Sequence, residues 1–156
     1  MQDSNSTELE KLEGALFGCI RITKRQSYWE EFQKRADVTI DRPAAFILMV
    51  LGKRSLQFQD LVNKLGVEAP SVSRKVHELE NDGFIKRQST ADRRIHLLTL
   101  TKKGADVTSR INKARRAIFS EIMSGWPDED KKQLSRLLAK LSEDLSNRFS
   151  PKKMQK

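Results

Sequence analysis

Two stretches of the chain, residues 70–82 and 86–94, concentrate hydroxyl, imidazole, ammonium and guanidinium groups. Hydroxyl and ammonium groups donate to phosphate oxygens, and a planar guanidinium can donate two hydrogen bonds to the edge of guanine. These residue types therefore predict an interface with nucleic acid. The candidate DNA-contacting residues are Ser71, Ser73, Arg74, Lys75, His77, Lys86, Arg87, Asp92, Arg93 and Arg94.

The first stretch is predicted to form a helix. Val72, Val76 and Leu79 recur at helical spacing, so they form a buried stripe and turn the polar side chains outward. Gly83 is expected to end the helix, because a left-handed residue commonly follows a helix C-terminus. Arg74 faces almost directly away from the buried stripe, and we therefore expect it to be the main contact to base edges.

The second stretch is predicted to form the tip of a β-hairpin. Two β-rich runs, FIKRQ and RIHLLTLT, are joined by the polar STAD, which is typical of the hairpin called a wing. A wing beside a major-groove helix reaches the adjacent minor groove, where the negative potential of AT-rich DNA attracts arginine. We expect Arg94 to insert there, Arg93 to contact phosphate and Asp92 to orient a nearby arginine through an ion pair. The alternative is a solvated hairpin tip whose charges only maintain solubility.

The rest of the chain is predicted to be helical. Apolar residues at three- and four-residue steps indicate a long first helix, a buried helix that Asp41 can cap and Gly52 ends, and a short helix that ends at Gly66. After the hairpin, Thr101 can cap a helix that continues to SGWP, and a final helix begins near Pro127. The fold class is therefore mainly α with a small β-hairpin wing.

Composition limits the classes of function. The chain has 156 residues and a formal net charge of +9, so a polyanion is the first partner to consider, with nucleic acid ahead of a membrane surface. One cysteine and two histidines leave little for a disulfide or a metal site. Because the sequence has no Gly-rich phosphate loop, no Ser–His–acid set and no zinc-protease motif, we expect no enzyme, cofactor or metal. The polar, acidic N-terminus and the short apolar runs indicate a cytoplasmic protein without a membrane span.

Residues 61–104 resemble the central block of the MarR/SlyA family of winged helix-turn-helix transcriptional regulators. The shared features are a leucine-rich helix, a Ser–Arg pair in the next helix, and the motifs LExDGFIxR, DRR and LTxKG, which are specific in combination. The resemblance implies an obligate homodimer with interlocked N- and C-terminal helices, whose two winged domains grip a pseudo-palindromic operator. It implies a sequence-specific regulator that binds double-stranded DNA, and we expect a repressor.

Two leucine-rich faces independently favour a homodimer. They lie on helices that flank a small domain, and that domain can cover only part of their apolar area. The alternative is that both faces close the core of one chain. We expect a disordered N-terminus over 1–7, a dimerisation helix over 8–40, the winged helix-turn-helix over 41–101, dimerisation helices over 102–148 and a disordered basic tail over 149–156. The candidate interface residues are Leu9, Leu12, Leu16, Leu134, Leu138, Leu141 and Leu145.

The resemblance also implies a small aromatic or phenolic ligand, because relatives often bind small aromatic acids or drugs between the dimerisation helices and the DNA-binding lobe. Ordinary core and surface positions are the alternative for the residues that could line such a crevice. The candidates are Arg21, Trp29, Phe32, Arg42, Phe46 and Met49.

Two competing functions stay open at this point. The first is a winged helix that docks an acidic protein partner through its basic face. The second is a cysteine-based redox-sensing regulator, because some relatives are peroxide sensors with a reactive cysteine in the first helix. Here the aligned position holds Phe17, and we expect the nearby Cys19 to be a buried, inert thiol.

Overall fold

The structure, a computed structural model, describes residues 2–52, 54–90, 92 and 95–149. Within these residues the chain forms seven helices and three short strands. It divides into two compact units, Met1–Arg116 and Ala117–Lys156, with the sixth helix crossing the boundary. The elements are α1 Gln2–Thr23, α2 Gln26–Ala36, α3 Arg42–Leu51, β1 Leu56–Gln57, α4 Phe58–Leu65, α5 Ala69–Asn81, β2 Ile85–Ser89, β3 His96–Leu100, α6 Lys102–Ile122 and α7 Asp128–Phe149.

The core of the first unit lies where α3, α4 and α5 pack against one another and against the strands. Its largest fully buried side chains include those of Leu48, Leu61, Ile85 and Leu98. α3 begins as predicted, because the Asp41 side chain accepts a hydrogen bond from the backbone N–H of Ala44 at 2.8 Å. Burial of this aliphatic core supplies the main stabilisation of the unit.

The strands form an antiparallel sheet in the order β1-β3-β2. In the predicted hairpin Ile85 pairs with Leu100 and Ser89 pairs with His96, so the two strands are in register over their whole length. β1 was not predicted from the sequence. It has only two residues, which is too short for the alternating pattern that identifies a strand.

The turn between α5 and β2 is held by contacts between two segments, Gly83–Phe84 and Thr101–Gly104. The Thr101 hydroxyl donates to the carbonyl of Gly83 at 2.6 Å and accepts from the N–H of Gly104 at 3.1 Å, which confirms the predicted cap of α6. A Cβ on Gly104 would lie only 1.9 Å from the carbonyl oxygen of Phe84. Gly83 itself has φ 73°, the left-handed conformation expected after α5. The DGF and TKKG segments therefore fit together as one unit of structure.

The region expected to be one helix over 8–40 contains two. α1 begins at Gln2, so residues 2–7 are helical rather than disordered; no proline or glycine interrupts this segment. α1 ends at Thr23 and α2 begins at Gln26. Ile20 and Trp29 are nine residues apart, so a continuous helix would turn them about half a turn away from each other. The break lets α2 bury Phe32 and Ala36 regardless of the orientation of α1.

Arg42 stabilises this break. Its guanidinium donates one hydrogen bond to the carbonyl of Lys24 and another to that of Arg25, both at 3.2 Å. These carbonyls lie at the junction of α1 and α2, where regular helical hydrogen bonding is interrupted. The same guanidinium lies 5.4 Å from the centre of the Trp29 ring, and Trp29 stacks on Phe32.

The second unit consists mainly of α7. Three acidic residues lie in the first turn of this helix, where they complement the helix dipole. None of the α7 residues is buried, and Leu137, Leu138 and Leu145 are each nearly half exposed. Across the described part of the chain, no helix has the length and apolar character that a membrane crossing requires.

Candidate nucleic-acid interface

α5 exposes the polar face that the sequence predicts. Val72, Val76 and Leu79 are at most 2% exposed, since α5 packs on α3 and α4 through this stripe. The opposite side of the helix is exposed and carries hydroxyl, guanidinium and imidazole groups. The exposed candidates on α5 are Ser71, Ser73, Arg74 and His77.

The N-terminal end of α5 adds two residues that sequence analysis missed. Val67 is 52% exposed in the turn before the helix, and Glu68 at the N-cap is exposed without a side-chain capping bond. An exposed apolar side chain can contact the methyl group of thymine, and a carboxylate can accept from cytosine. Neither residue has a distinctive spacing in the sequence, so the sequence alone does not single it out.

Lys75 differs from the other candidates on α5. Its ammonium contacts the carboxylates of Asp41 and Glu78, and its side chain is only 20% exposed. The hydrogen bond to Asp41, followed by that to Glu78, raises the pKa of the Lys75 ammonium. Sequence analysis gave Lys75 as a DNA contact; in the structure its charge is directed to protein carboxylates.

The hairpin is attached to α5 through Arg87. This guanidinium, on β2, donates from Nε and Nη2 to the two carboxylate oxygens of Glu80, at 2.8 and 3.2 Å. Such two-point pairing fixes both the distance and the orientation of the partners. Lys86, the preceding residue on β2, is exposed.

The described part of the hairpin tip is held by its own backbone. The carbonyl of Asp92 accepts from the hydroxyl of Thr90 at 2.8 Å and from the N–H of Ile95 at 2.9 Å, and the Asp92 side chain is exposed. Arg93 and Arg94 lie outside the described residues. Their predicted contacts, and the predicted ion pair of Asp92 with one of them, stay predictions.

Residues 38–95 match the MarR family. The resemblance drawn from the sequence motifs is thereby confirmed. The protein described as the uncharacterized HTH-type transcriptional regulator YwoH of Bacillus subtilis is 33% identical over 79 residues, which are 51% of this chain. The matched part spans 58% of the length of that relative.

Two solved structures share the fold over nearly the whole chain. A MarR family protein from Bacillus stearothermophilus has a TM-score of 0.73 at 20% identity and covers 94% of this chain and 99% of its own. FabT of Streptococcus pneumoniae, solved in complex with DNA, has a TM-score of 0.66 at 19% identity and covers 91% of this chain and 98% of its own. These likenesses confirm the winged helix-turn-helix fold class.

A cleft of about 590 Å³ is lined by residues between positions 24 and 42. Two of the six candidate ligand residues, Trp29 and Arg42, line it. Phe32 lies behind Trp29, stacked on it at 4.9 Å and buried. Arg21, Phe46 and Met49 are not among the lining residues. The other lining residues are Lys24, Gln26, Gln33, Thr39, Ile40 and Asp41.

Cys19 is exposed, which corrects the expectation of a buried thiol. It lies on α1, most of whose side chains face solvent from residue 7 onward. Among the residues whose positions are described, no group of three or more His, Cys, Asp or Glu side chains is arranged to hold a metal ion.

All seven candidate interface leucines lie outside the MarR match, on α1 and α7. Leu9 and Leu12 are 59% and 61% exposed, and Leu138 and Leu145 are 48% and 46% exposed. The other three, Leu16, Leu134 and Leu141, are half-buried. Both helices thus carry apolar side chains that their own unit leaves accessible.

Proposed function

We propose that the protein is a transcriptional regulator that binds double-stranded DNA in a sequence-specific manner. The observation that carries this proposal is the attachment of the hairpin to α5 by Arg87 and Glu80, next to the exposed polar face of that helix. A major-groove helix with a hairpin fixed beside it can occupy two adjacent grooves. The complex of FabT with DNA supports DNA as the partner of this fold.

In this proposal α5 enters the major groove. Arg74 donates to base edges, with guanine as its expected target, and His77 lies one turn further along the same face. Ser71 and Ser73 donate to phosphates near the N-terminal end of the helix, where the dipole also favours an anion. Arg74 would therefore determine sequence preference, and the serines would fix the position of the helix on the duplex.

The hairpin enters the adjacent minor groove. We assign Arg94 to insertion, Arg93 to a phosphate and Lys86 to the flanking backbone, while Asp92 orients one of the two arginines. Arg87 lies on the hairpin strand β2 and pairs with Glu80 of α5. Its main role would be to keep the hairpin beside α5 while the tip contacts DNA.

Two copies of the chain would bind one operator. The exposed leucines of α1 and α7 support a homodimer, since monomeric proteins rarely leave such faces uncovered. In a two-fold dimer the two α5 helices contact half-sites about 10 base pairs apart, so the operator is pseudo-palindromic.

A small aromatic or phenolic ligand would adjust this binding through the cleft beside Trp29. Thr39, Ile40 and Asp41 line this cleft and also a smaller cavity of about 190 Å³ that Lys75 lines. A molecule in the cleft would therefore contact the segment that touches α5.

Bound on two half-sites, the dimer would exclude other proteins from that duplex, and we accordingly propose repression as the outcome.

The competing function is the docking of an acidic protein through the same basic surface. The two differ in their dependence on salt. Neutralising several phosphates releases counterions, so the logarithm of DNA affinity falls steeply and linearly with the logarithm of salt concentration. Duplex binding at neither of two salt concentrations would favour protein docking.

Selection of bound fragments from a random duplex pool tests DNA binding, two-fold symmetry and half-site spacing together. We expect an inverted repeat with half-sites separated by about one helical turn. Recovery of fragments without any shared sequence would contradict sequence-specific regulation. A single unrepeated half-site would contradict the dimer but not DNA binding.

A further inference from the structure

Lys75 connects two elements of the DNA-binding region that are far apart in the chain. Its ammonium lies 2.5 Å from Oδ2 of Asp41, a residue 34 positions earlier that precedes α3. The other oxygen of Asp41 accepts from the N–H of Ala44 and so caps α3. One carboxylate thus fixes the start of α3 and simultaneously contacts the middle of α5.

The charges around Lys75 make it a poor partner for phosphate. Asp41 and Glu78 both contact the single ammonium, so the group of three carries a net charge of −1 when all are ionised. A phosphate near Lys75 would meet this negative group, and freeing the ammonium would first require breaking its contacts to the carboxylates. Its small exposed fraction agrees with a role inside the protein.

We propose that Lys75 is a positioning residue, which sets operator affinity by holding α5 against the start of α3 through Asp41 and does not contact the DNA backbone. This inference rests on the proposed DNA-binding function of α5. It also changes the role that the sequence suggests for Lys75, because a cation on a DNA-binding helix is otherwise expected to meet phosphate.

Two substitutions separate positioning from phosphate contact. Lys75→Gln removes the ammonium, and Asp41→Asn removes one partner while an Asn at the N-cap still caps α3. If Lys75 positions α5, both variants weaken binding to the selected operator by about three- to tenfold. If Lys75 contacts phosphate, Asp41→Asn instead releases the ammonium and strengthens binding, so the two models predict opposite signs for this variant.

The salt dependence provides a second readout that separates positioning from phosphate contact. Each lost phosphate contact reduces the slope of log affinity against log salt by about 0.9. We expect the slope of Lys75→Gln to equal that of the unaltered chain, whereas Lys86→Gln on β2 is the matched control that should lower it. Lys75→Arg keeps a cation that can contact both carboxylates and should restore most of the affinity.

The double variant completes the experiment. If the two residues act through one contact, Lys75→Gln with Asp41→Asn binds no more weakly than the weaker single variant. Thermal unfolding shows whether each variant folds. If Lys75→Gln does not fold, the test rests on Asp41→Asn, through the direction of its affinity change and the slope of its log affinity against log salt. A lower slope for Lys75→Gln, or stronger binding by Asp41→Asn, overturns the inference while DNA binding stands. Absence of duplex binding by the unaltered chain overturns both.

Discussion

The guanidinium of Arg87 donates to both carboxylate oxygens of Glu80, and this pair joins the hairpin to α5. The two residues are only seven positions apart, but they belong to different elements separated by a left-handed turn at Gly83. The pair and the contacts of Thr101 and Gly104 at that turn connect α5 to the hairpin. The orientation of the hairpin relative to α5 is therefore supported by contacts within the protein.

Glu80→Gln should weaken operator binding about threefold or more, because Arg87 would no longer fix the hairpin beside α5. The free energy of unfolding should fall by less than about 1 kcal/mol, since Arg87 is half exposed and water screens the pair. Fluorescence anisotropy and urea unfolding give the two quantities. Glu129→Gln on α7 removes the same charge elsewhere and serves as the control. Equal operator affinity for the two variants would show that the pair does not orient the hairpin.

Gly104→Ala should destabilise the first unit by at least about 2 kcal/mol. The added Cβ would overlap the carbonyl oxygen of Phe84, a backbone atom that cannot rotate away. Gly14→Ala is the matched control: it lies in α1 with no atom within 4 Å of the added Cβ and should stabilise the helix by about 0.5–1 kcal/mol. Urea unfolding measures both. Two variants of equal stability would mean that the close approach at Gly104 relaxes without cost.

Local signals in the sequence predicted much of the structure of α5 and its flanking turns correctly. The Val72, Val76 and Leu79 stripe fixes the exposed face of α5, and Gly66 and Gly83 adopt the left-handed conformation that their positions suggest. Each of these features depends on a few neighbouring residues. Helical periodicity and backbone preference are therefore sufficient to predict them.

Other features depend on contacts that no local pattern contains. The hydrogen bonds of Arg42 to the carbonyls of Lys24 and Arg25 link positions 17 and 18 residues apart, so the helical spacing within α1 or α2 does not reveal them. The engagement of Lys75 by Asp41 likewise spans 34 residues. A charge on a predicted helix is assigned to solvent or to DNA unless its distant partner is known.

Arg74→Ala should reduce sequence discrimination more than it reduces affinity for scrambled duplex. An exposed guanidinium facing away from the core is free to bond a base edge, and one such two-point contact contributes about 1–3 kcal/mol of discrimination. Competition between the selected operator and a scrambled duplex measures the ratio. Arg94→Ala, in contrast, should cost about 1–3 kcal/mol mostly at AT-rich flanks. Discrimination that survives Arg74→Ala would assign base contact to another residue of α5.

Arg42→Lys should destabilise the junction of α1 and α2 by about 1 kcal/mol. A lysine keeps the charge but lacks the planar fork that reaches two carbonyls and covers the Trp29 ring. In a Trp126→Phe background, which leaves Trp29 as the single tryptophan, iodide should quench its fluorescence more strongly after the substitution. Unchanged quenching and stability would show that the break does not depend on Arg42.

Leu138→Glu should dissociate the proposed dimer without unfolding α7. The side chain is 48% exposed within its own unit, so a carboxylate there costs little in the monomer but would be buried without a partner in a leucine-rich interface. Asn147→Glu is the control, because this exposed residue lies nine positions further along the helix and so about half a turn away. Light scattering should give half the mass for Leu138→Glu alone, and the unaltered chain should unfold at a temperature that rises with protein concentration. A dimer that persists in Leu138→Glu would exclude this face of α7 from the interface.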